Sequence, residues 1–494
     1  MHTIKSLLPA EDILTYSFLS KDEVKCAIVY ADGIVNKAVL GDLIVRPLSS
    51  LSLKNGQKEG DFSQNDGGRV EVNADFVKKS LLFPELKTDE NFSTLCQEIL
   101  DGNSVLLIDG AKEGIVVGAK MLPVRAITEP PADVAVKGPR EGFVEDIKTN
   151  SALVRKRLKT PALRLDNLRI GKRSDTYVAL CYLDGICDES LKQSVQEKLQ
   201  KIDVDILPDS SYITALIAPR RHTIFRSVGT TEKPDVFAAK LAEGRVGILV
   251  DGSPIALTLP FALTEDFQSS EDYFISPFMA TIFRFLRLIA VMISLFLPAL
   301  YVTTQLFKMQ LLPLGLMLTI AGSVRELPFS PSMETFFVLL VFEILKEASI
   351  RMPKYVGMSL SVVGALVLGE AAVSAGFLST PTIIIVALSG ICLYTAPNFV
   401  ETGSILRWLY LIVAGSLGPF GLMLAAAFTL YYLISADSFG MPPLAPFSPL
   451  VAHDLKDGIA KYAIDALGER PNIYHSPDKI RLTLQKEDDD AQNE

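Results

Sequence analysis

The chain has 494 residues, 49% of them hydrophobic, and a formal net charge of −9. That length allows several domains, and the acidic balance excludes a general nucleic-acid binder, which needs a basic face. The five cysteines (Cys26, Cys96, Cys181, Cys187, Cys392) form no Cys-x-x-Cys pair, so neither a disulfide framework nor a zinc site is expected.

The average composition hides a division. Up to about residue 275 the chain is charged and patterned as a soluble α/β protein, from Ile282 to Ile434 it is apolar, and a polar tail follows. The start, MHTIKSLLPAEDIL, lacks the apolar core of a signal peptide. The soluble half is therefore expected in the cytoplasm, after an N-terminal extension over residues 1–21.

The soluble half carries an internal duplication. Residues 27–40 (AIVYADGIVNKAVL) match 179–192 (ALCYLDGICDESLK), and 99–110 (ILDGNSVLLIDG) match 241–252 (LAEGRVGILVDG) in the same order. Two copies of one small α/β domain are expected, over residues 22–125 and 160–275. In each, a strand ends at a Tyr-x-Asp-Gly turn: Tyr30, Asp32 and Gly33, then Tyr182, Asp184 and Gly185. Glycine suits such a turn, and aspartate bonds the local backbone. An amphipathic helix follows, as in residues 190–202, where Leu191, Val195, Leu199 and Ile202 share one side. A later apolar strand, VLLIDG or GILVDG, is expected to be buried on both faces. Residues 60–72 read as a polar, Gly-rich loop. The connector, 126–159, contains GPREGFVED around Phe143 and the basic run VRKRLK, expected as a solvated helix face. Arg140, Glu141 and Phe143 are the candidates for coupling the domains.

The apolar part, 276–436, reads as a helical transmembrane domain with roughly four crossings at about 20 residues each. The first is 286–304, with Arg284 and Arg287 at its start favouring a cytoplasmic entry and Pro298 predicting a kink. Residues 311–322 are too short to cross and read as re-entrant or interfacial. Residues 333–351 have helical period but carry Glu334, Glu343, Lys346, Glu347 and Arg351. They suit an interfacial helix or one lining a wet cavity, with Glu347 and Arg351 as an i, i+4 pair. The second span, 356–377, holds a small-residue stripe of Gly357, Ser361, Ala365 and Gly369 for close helix packing, with Glu370 beside it. The third is 381–397. The fourth is 408–434, where Gly415, Gly418, Pro419 and Gly421 predict a kink or close contact. The tail, 437–494, then returns to the side of the soluble half. The fold class expected is a tandem-repeat α/β soluble half joined to an all-α polytopic membrane domain.

No P-loop, His-Glu-x-x-His or Gly-x-Ser-x-Gly motif occurs, and the four histidines have no metal-ligand spacing. Neither an enzymatic role nor a cofactor is expected. Ionisable groups in apolar segments are costly and mark function. Glu343, Glu347 and Glu370 are the candidates for a cation path or gate, and Arg287 and Arg325 are membrane-edge charges. A structural reading stands beside each carboxylate. Glu343 and Glu347 pair with Lys346 and Arg351, and Glu370 pairs with an arginine of another helix such as Arg287.

Four blocks carry a resemblance. Residues 138–159 (GPREGFVEDIKTNSALVRKRLK), 232–254 (EKPDVFAAKLAEGRVGILVDGSP), 324–353 (VRELPFSPSMETFFVLLVFEILKEASIRMP) and 363–379 (VGALVLGEAAVSAGFLS) are similar, in order, to the A subunit of spore germinant receptors, the GerA family. The resemblance runs from about residue 22 to residue 449. It implies a protein of the inner membrane of the dormant endospore, in contact with membrane lipid. The implied partners are a transporter-like B subunit that recognises the nutrient and a lipoprotein C subunit. It also implies a homo-oligomer that forms a ligand-gated ion channel and starts germination. Where the family carries Ser-Pro-Phe-Pro before Arg-Pro-Asp, this chain has APRRHTIFRSVGTTEKPD (218–235), with Lys233 in place of arginine and Arg220 and Arg221 in addition. That departure keeps one alternative within the resemblance, a relative of stage V sporulation protein AF, which modulates germination ion release; a non-conducting membrane scaffold that docks partners stands as a separate alternative.

Overall fold

Two five-stranded antiparallel sheets organise the soluble half. The computed structural model describes residues 7–53, 74–81, 83–121, 137–219, 223–325, 327–351 and 369–481, with positions 4, 72 and 364. The first sheet holds β1 (Ile13–Leu19), β2 (Lys25–Ala31), β3 (Leu86–Asp89), β4 (Ser104–Ile108) and β5 (Gly114–Val117), in the order β1-β2-β4-β5-β3. The second holds β6 (Leu163–Ile170), β7 (Thr176–Leu183), β8 (Gly229–Thr231), β9 (Val246–Val250) and β10 (Ala256–Leu259), in the order β6-β7-β9-β10-β8. The two orders are the same, so the duplication in the sequence is a duplication of fold. Registers agree too: Ile28 faces Leu106, and their counterparts Leu180 and Ile248 face each other. Strand β1 pairs with β2 yet lies before residue 22, within the stretch expected as an extension.

Helices α1 (Phe92–Leu100), α2 (Ile147–Arg157), α3 (Glu189–Gln200), α4 (Ser210–Ile217) and α5 (Pro234–Ala242) cover the sheets. Leu95 and Ile99 of α1 pack on Val105 and Ile115 of the first sheet. The second sheet is covered twice. On one face Leu191, Val195 and Leu199 of α3 and Ile213 of α4 meet Val178, Leu180 and Ile248. On the other, Leu153 of α2 and Phe237 and Leu241 of α5 meet Ala179, Cys181 and Leu249. Alternate strand residues point to opposite faces, so β9 is apolar throughout although its sheet is antiparallel. Each large side chain removed from water in this way contributes about 1.5–3 kcal/mol. All five cysteines are free thiols.

Helix α2 is the keystone between the copies. Asp146 caps it, its Oδ2 accepting from the Thr149 N–H at 2.8 Å. Gly33, in the turn after β2, has φ +82°, and a Cβ there would lie 2.8 Å from the Lys148 carbonyl oxygen. The turn after β9 holds the other side: Gly252 N–H donates to the Glu145 carbonyl (2.7 Å), and Asp251 Oδ1 accepts from the Ile147 N–H (3.1 Å). The basic run in α2 is not a solvated face. Arg155 is 1% exposed; it donates from Nε and Nη2 to Asp12 at 2.9 and 2.7 Å and from Nη1 to the Thr160 carbonyl at 3.1 Å. A burial this deep requires a paired carboxylate, which the segment before β1 supplies.

The remainder is helical: α6 (Pro277–Phe307), α7 (Leu314–Val324), α8 (Pro331–Arg351), α9 (Thr380–Leu393) and α10 (Val400–Ser435). Two stretches, Pro277–Phe307 and Pro397–Ser435, are long and apolar enough to cross a membrane by length and composition. Pro298 lies inside α6, which continues past it. The fourth expected span is not one rod. Thr402 Oγ1 donates to the Ile224 carbonyl at 2.6 Å, while the Tyr432 ring stacks on Phe225 at 5.8 Å. In a straight helix Thr402 and Tyr432 would lie about 45 Å apart, yet they meet adjacent residues. The chain reverses at Gly418, where φ is 65° and ψ −153°, and Pro419 suits the first turn of the returning arm. Phe307, at the far end of α6, fills the space beside Gly418: a Cβ there would lie 3.0 Å from its ring. The segment expected as an interfacial helix or one lining a wet cavity, α8, packs along the bundle with one face buried, antiparallel to the outgoing arm of α10, with Gly415 packed against Ser332 and Lys346 bonded to Ser404 at 3.0 Å. The third expected span is the shorter α9. Expectations for residues 60–71 and 126–136, for Arg220 and Arg221, and for Gly357, Ser361 and Ala365 lie outside the described residues.

The tail folds back onto the second copy. Ser438 Oγ accepts from the Phe261 N–H (2.9 Å), Arg470 Nε donates to the Ala242 carbonyl (2.8 Å), and Ser476 Oγ donates to the Ile186 carbonyl (2.7 Å). The tail and the soluble half thus share one side of the bundle.

Candidate functional site at the soluble–helical junction

The junction is built on one carboxylate. A short turn, Ser270–Tyr273, precedes α6, and Asp272 closes it by accepting from the Ser269 N–H at 3.1 Å. Arg284 and Arg287 sit one turn apart on α6 and so share a face. Arg284 Nε donates to Asp272 Oδ2 at 3.0 Å; Arg287 donates to Oδ2 and Oδ1 at 2.8 and 2.9 Å. Asp272 is 0% exposed. Burial alone would raise its carboxyl, but the hydrogen bonds from Arg287, the Ser269 N–H and Arg284 hold it below the usual range. The tail completes the node. Asp457 Oδ1 accepts from Arg284 at 2.9 Å and Oδ2 from the Tyr273 hydroxyl at 2.8 Å, and Lys461 Nζ donates to the Asp272 carbonyl at 2.5 Å. Arg287, expected as a membrane-edge charge, is spent on Asp272 and not on Glu370.

Beside this node lies a second charged cluster. Glu265 takes Arg245 Nη1 at 2.5 Å and also pairs with Lys240. Burial opposes its ionisation, but Arg245 and Lys240 pull it down to about 2. Burial pushes the next carboxyl, Asp266, up to about 7 against the opposing pull of Arg226.

The connector candidates divide. Phe143 is buried; its N–H donates to the Glu232 carbonyl at 2.7 Å and its ring meets Phe237 edge-on at 5.6 Å. Glu141 accepts from Lys156 and Arg157 at 2.6 and 2.9 Å. Arg140 is exposed. The connector also reaches the junction turn, with the Lys137 N–H donating to Glu271 Oε1 at 3.3 Å.

In the bundle, Glu343 pairs with Lys346 as expected and also, across the bundle, with Arg407 at 2.5 Å. Arg407 is 1% exposed, and its Nη1 donates to Ser389 Oγ at 3.1 Å. The sequence reading missed it, although an arginine directly before Trp408 in an apolar run was its signal. Glu334 was also passed over. It is fully buried, and its Oε1 accepts from the Ser379 N–H at the start of α9 at 2.5 Å. Glu347 and Arg351 form the expected pair at 2.7 Å on the exposed face. Arg325, Gly369 and Glu370 are exposed. Among the described residues no three His, Cys, Asp or Glu side chains converge to hold a metal.

The GerA family, described as Bacillus/Clostridium GerA spore germination protein, matches residues 3–473. Spore germination protein KA of Bacillus subtilis (strain 168) is 34% identical over 463 residues, covering 93% of this chain and 83% of that protein. Spore germination protein B1 of the same organism is 30% identical over 480 residues, covering 97% and 96%. The uncharacterized membrane protein YfkQ, also of that organism, is 33% identical over 449 residues, covering 90% and 85%. The crystal structure of the N-terminal domain of the A subunit of the Bacillus megaterium spore germinant receptor GerK3 aligns with a TM-score of 0.39 at 28% identity, covering 52% of this chain and 91% of that one. The chain belongs to the GerA family of spore germination proteins.

Proposed function

We propose that the chain is a membrane subunit of a spore germinant receptor, which oligomerises in the inner spore membrane and couples nutrient sensing to ion release. The observation that carries the coupling is the Asp272 node. It ties the end of the second soluble domain, the first long apolar helix and the tail to one buried carboxylate. Movement in the soluble half therefore reaches α6 without a slack linker. Family membership and a relative named as a membrane protein support the setting. The proposed partners are a transporter-like B subunit and a lipoprotein C subunit, with the soluble half and tail on the cytoplasmic side. Glu370 and Glu347, exposed on the bundle, suit carboxylates facing a shared axis in an oligomer. Glu343 is neutralised inside one bundle and serves its packing.

The test is planar-bilayer recording of the full chain reconstituted with its B and C subunits, with Glu370→Gln alongside. Nutrient-gated cation current reduced by the substitution supports the reading. A current untouched by it moves the path elsewhere, and no current in the complete assembly leaves a scaffold.

A further inference from the structure

A cavity of about 480 Å³ opens between the second soluble domain and the near end of the bundle. Its walls include Arg226, Lys233, Asp235, Asp266, Arg287 and Asn398. Most of the charge there is already answered. Lys240 and Arg245 share Glu265, Arg245 also takes Glu243, and Arg287 holds Asp272. Two cations remain. Lys233 is 1% exposed, and its ammonium donates to the neutral Ser270 Oγ at 2.9 Å with no carboxylate in ion-pair range among the described residues. Arg226 donates to the neutral Thr230 hydroxyl at 3.4 Å and has Asp266 as its nearby carboxyl, without a direct ion pair among the described residues. The wall also holds Asp235 and Asp266, but neither is in ion-pair range of Lys233; a buried ammonium without a counter-ion is costly, and an anion in this cavity would supply one.

The backbone agrees. Lys233 is the N-cap of α5 and makes no side-chain cap, and Pro234 follows it. The first-turn amides of Asp235 and Val236 thus lack intrahelical partners, and a helix start of this kind suits an oxyanion. The pocket also wants donors: Asp235 Oδ1 is buried with no partner among the described residues. A bare anion would leave that oxygen unsatisfied, whereas a ligand with hydroxyls would not.

We infer that this cavity binds a phosphate ester bearing free hydroxyl groups, with the phosphate on Lys233, Arg226 and the α5 amides and a hydroxyl donated to Asp235. Its volume is that of an ordinary small-ligand site. Two sources share this chemistry. One is the headgroup of a phosphatidylglycerol-type lipid, because Arg287 and Asn398 stand where the apolar helices begin. The other is a free polyol phosphate. The lipid source rests on the membrane placement proposed above; the free ester does not.

The test uses the full chain in phosphatidylcholine nanodiscs, with and without glycerol 3-phosphate, and in nanodiscs containing phosphatidylglycerol, read by thermal unfolding. Stabilisation by glycerol 3-phosphate assigns the free ester, and stabilisation by phosphatidylglycerol alone assigns the headgroup. In either case Lys233→Gln weakens the half-saturating concentration by at least about tenfold, the loss of one charge-assisted contact. Lys233→Arg retains it, and Lys201→Gln, on the exposed face of the domain, leaves it unchanged. Arg226→Gln gives the same readout if Lys233→Gln fails to fold. No stabilisation by either ligand, or stabilisation that survives both Lys233→Gln and Arg226→Gln, overturns the site. Receptor currents play no part in this readout, so failure of the channel reading leaves it standing.

Discussion

Replacing Asp272 by asparagine keeps the shape of the junction and removes its charge. Arg284 and Arg287 would then lose the carboxylate that accepts from them at 3.0, 2.8 and 2.9 Å. Breaking a buried pair from one side costs about 3–5 kcal/mol. Arg284 keeps Asp457, and Arg287 keeps the Phe267 carbonyl at 3.1 Å, which places the loss near the lower bound. A loss of about 3 kcal/mol lowers the melting temperature of a large cooperative unit by about 6 °C. The assay is thermal unfolding of the purified full chain in detergent, with limited proteolysis of the tail as a second readout, because Asp457 and Lys461 hold the same node. The pH dependence has a definite sign. The folded carboxyl lies below its unfolded value, so its contribution is complete at neutral pH and disappears as pH falls through the folded value. The difference between wild type and Asp272→Asn should therefore persist at pH 7 and close in strong acid. A variant that melts within about 1 °C of wild type at neutral pH, far inside the expected shift, and keeps a protease-resistant tail would refute this account of the junction.

Arg407→Met should lower the melting temperature by leaving Glu343 with Lys346 alone, and the double variant Glu343→Gln/Arg407→Met should recover most of the loss, as a double-mutant cycle would show. Gly418→Ala should cost about 1–3 kcal/mol of backbone strain and press on Phe307, visible as a lower unfolding temperature. For Asp266 the folded value of about 7 lies above its ordinary 3.8. The folded chain thus holds a proton that the unfolded chain releases, and stability falls as pH rises through that window, by about 4 kcal/mol at most. Asp266→Asn should flatten the profile and melt higher than wild type at pH 8.

What the sequence revealed and what it hid follow from the range of each interaction. The duplication was legible because its matched segments fall on β2 with β7 and β4 with β9, strands whose apolar character the core demands. Strand β1 escaped because its outer position leaves no residue buried, so it carries no pattern that a copy must preserve. Arg155 looked solvated among Lys156 and Arg157, since its carboxylate, Asp12, is 143 positions away. Glu343 showed its near partner and concealed Arg407, again a matter of chain distance. The reversal at Gly418 hid for another reason. Gly-Pro marks a bend and a turn alike, and apolar composition runs unchanged through both arms, so only the dihedral angles separate them.

That reversal bears on how the chain reaches its place in a bilayer. Between Trp408 and Ser435 no residue is charged, and the tip of the hairpin is Leu417, Gly418, Pro419 and Phe420. Both arms can enter together from one side, with their backbone bonded internally. With the chain in the membrane as proposed, the ionised segment from Asp437 onward does not have to be carried across. In that placement this part needs no translocated polar loop, and the tail stays on the side of Asp272, whose node Asp457 and Lys461 join.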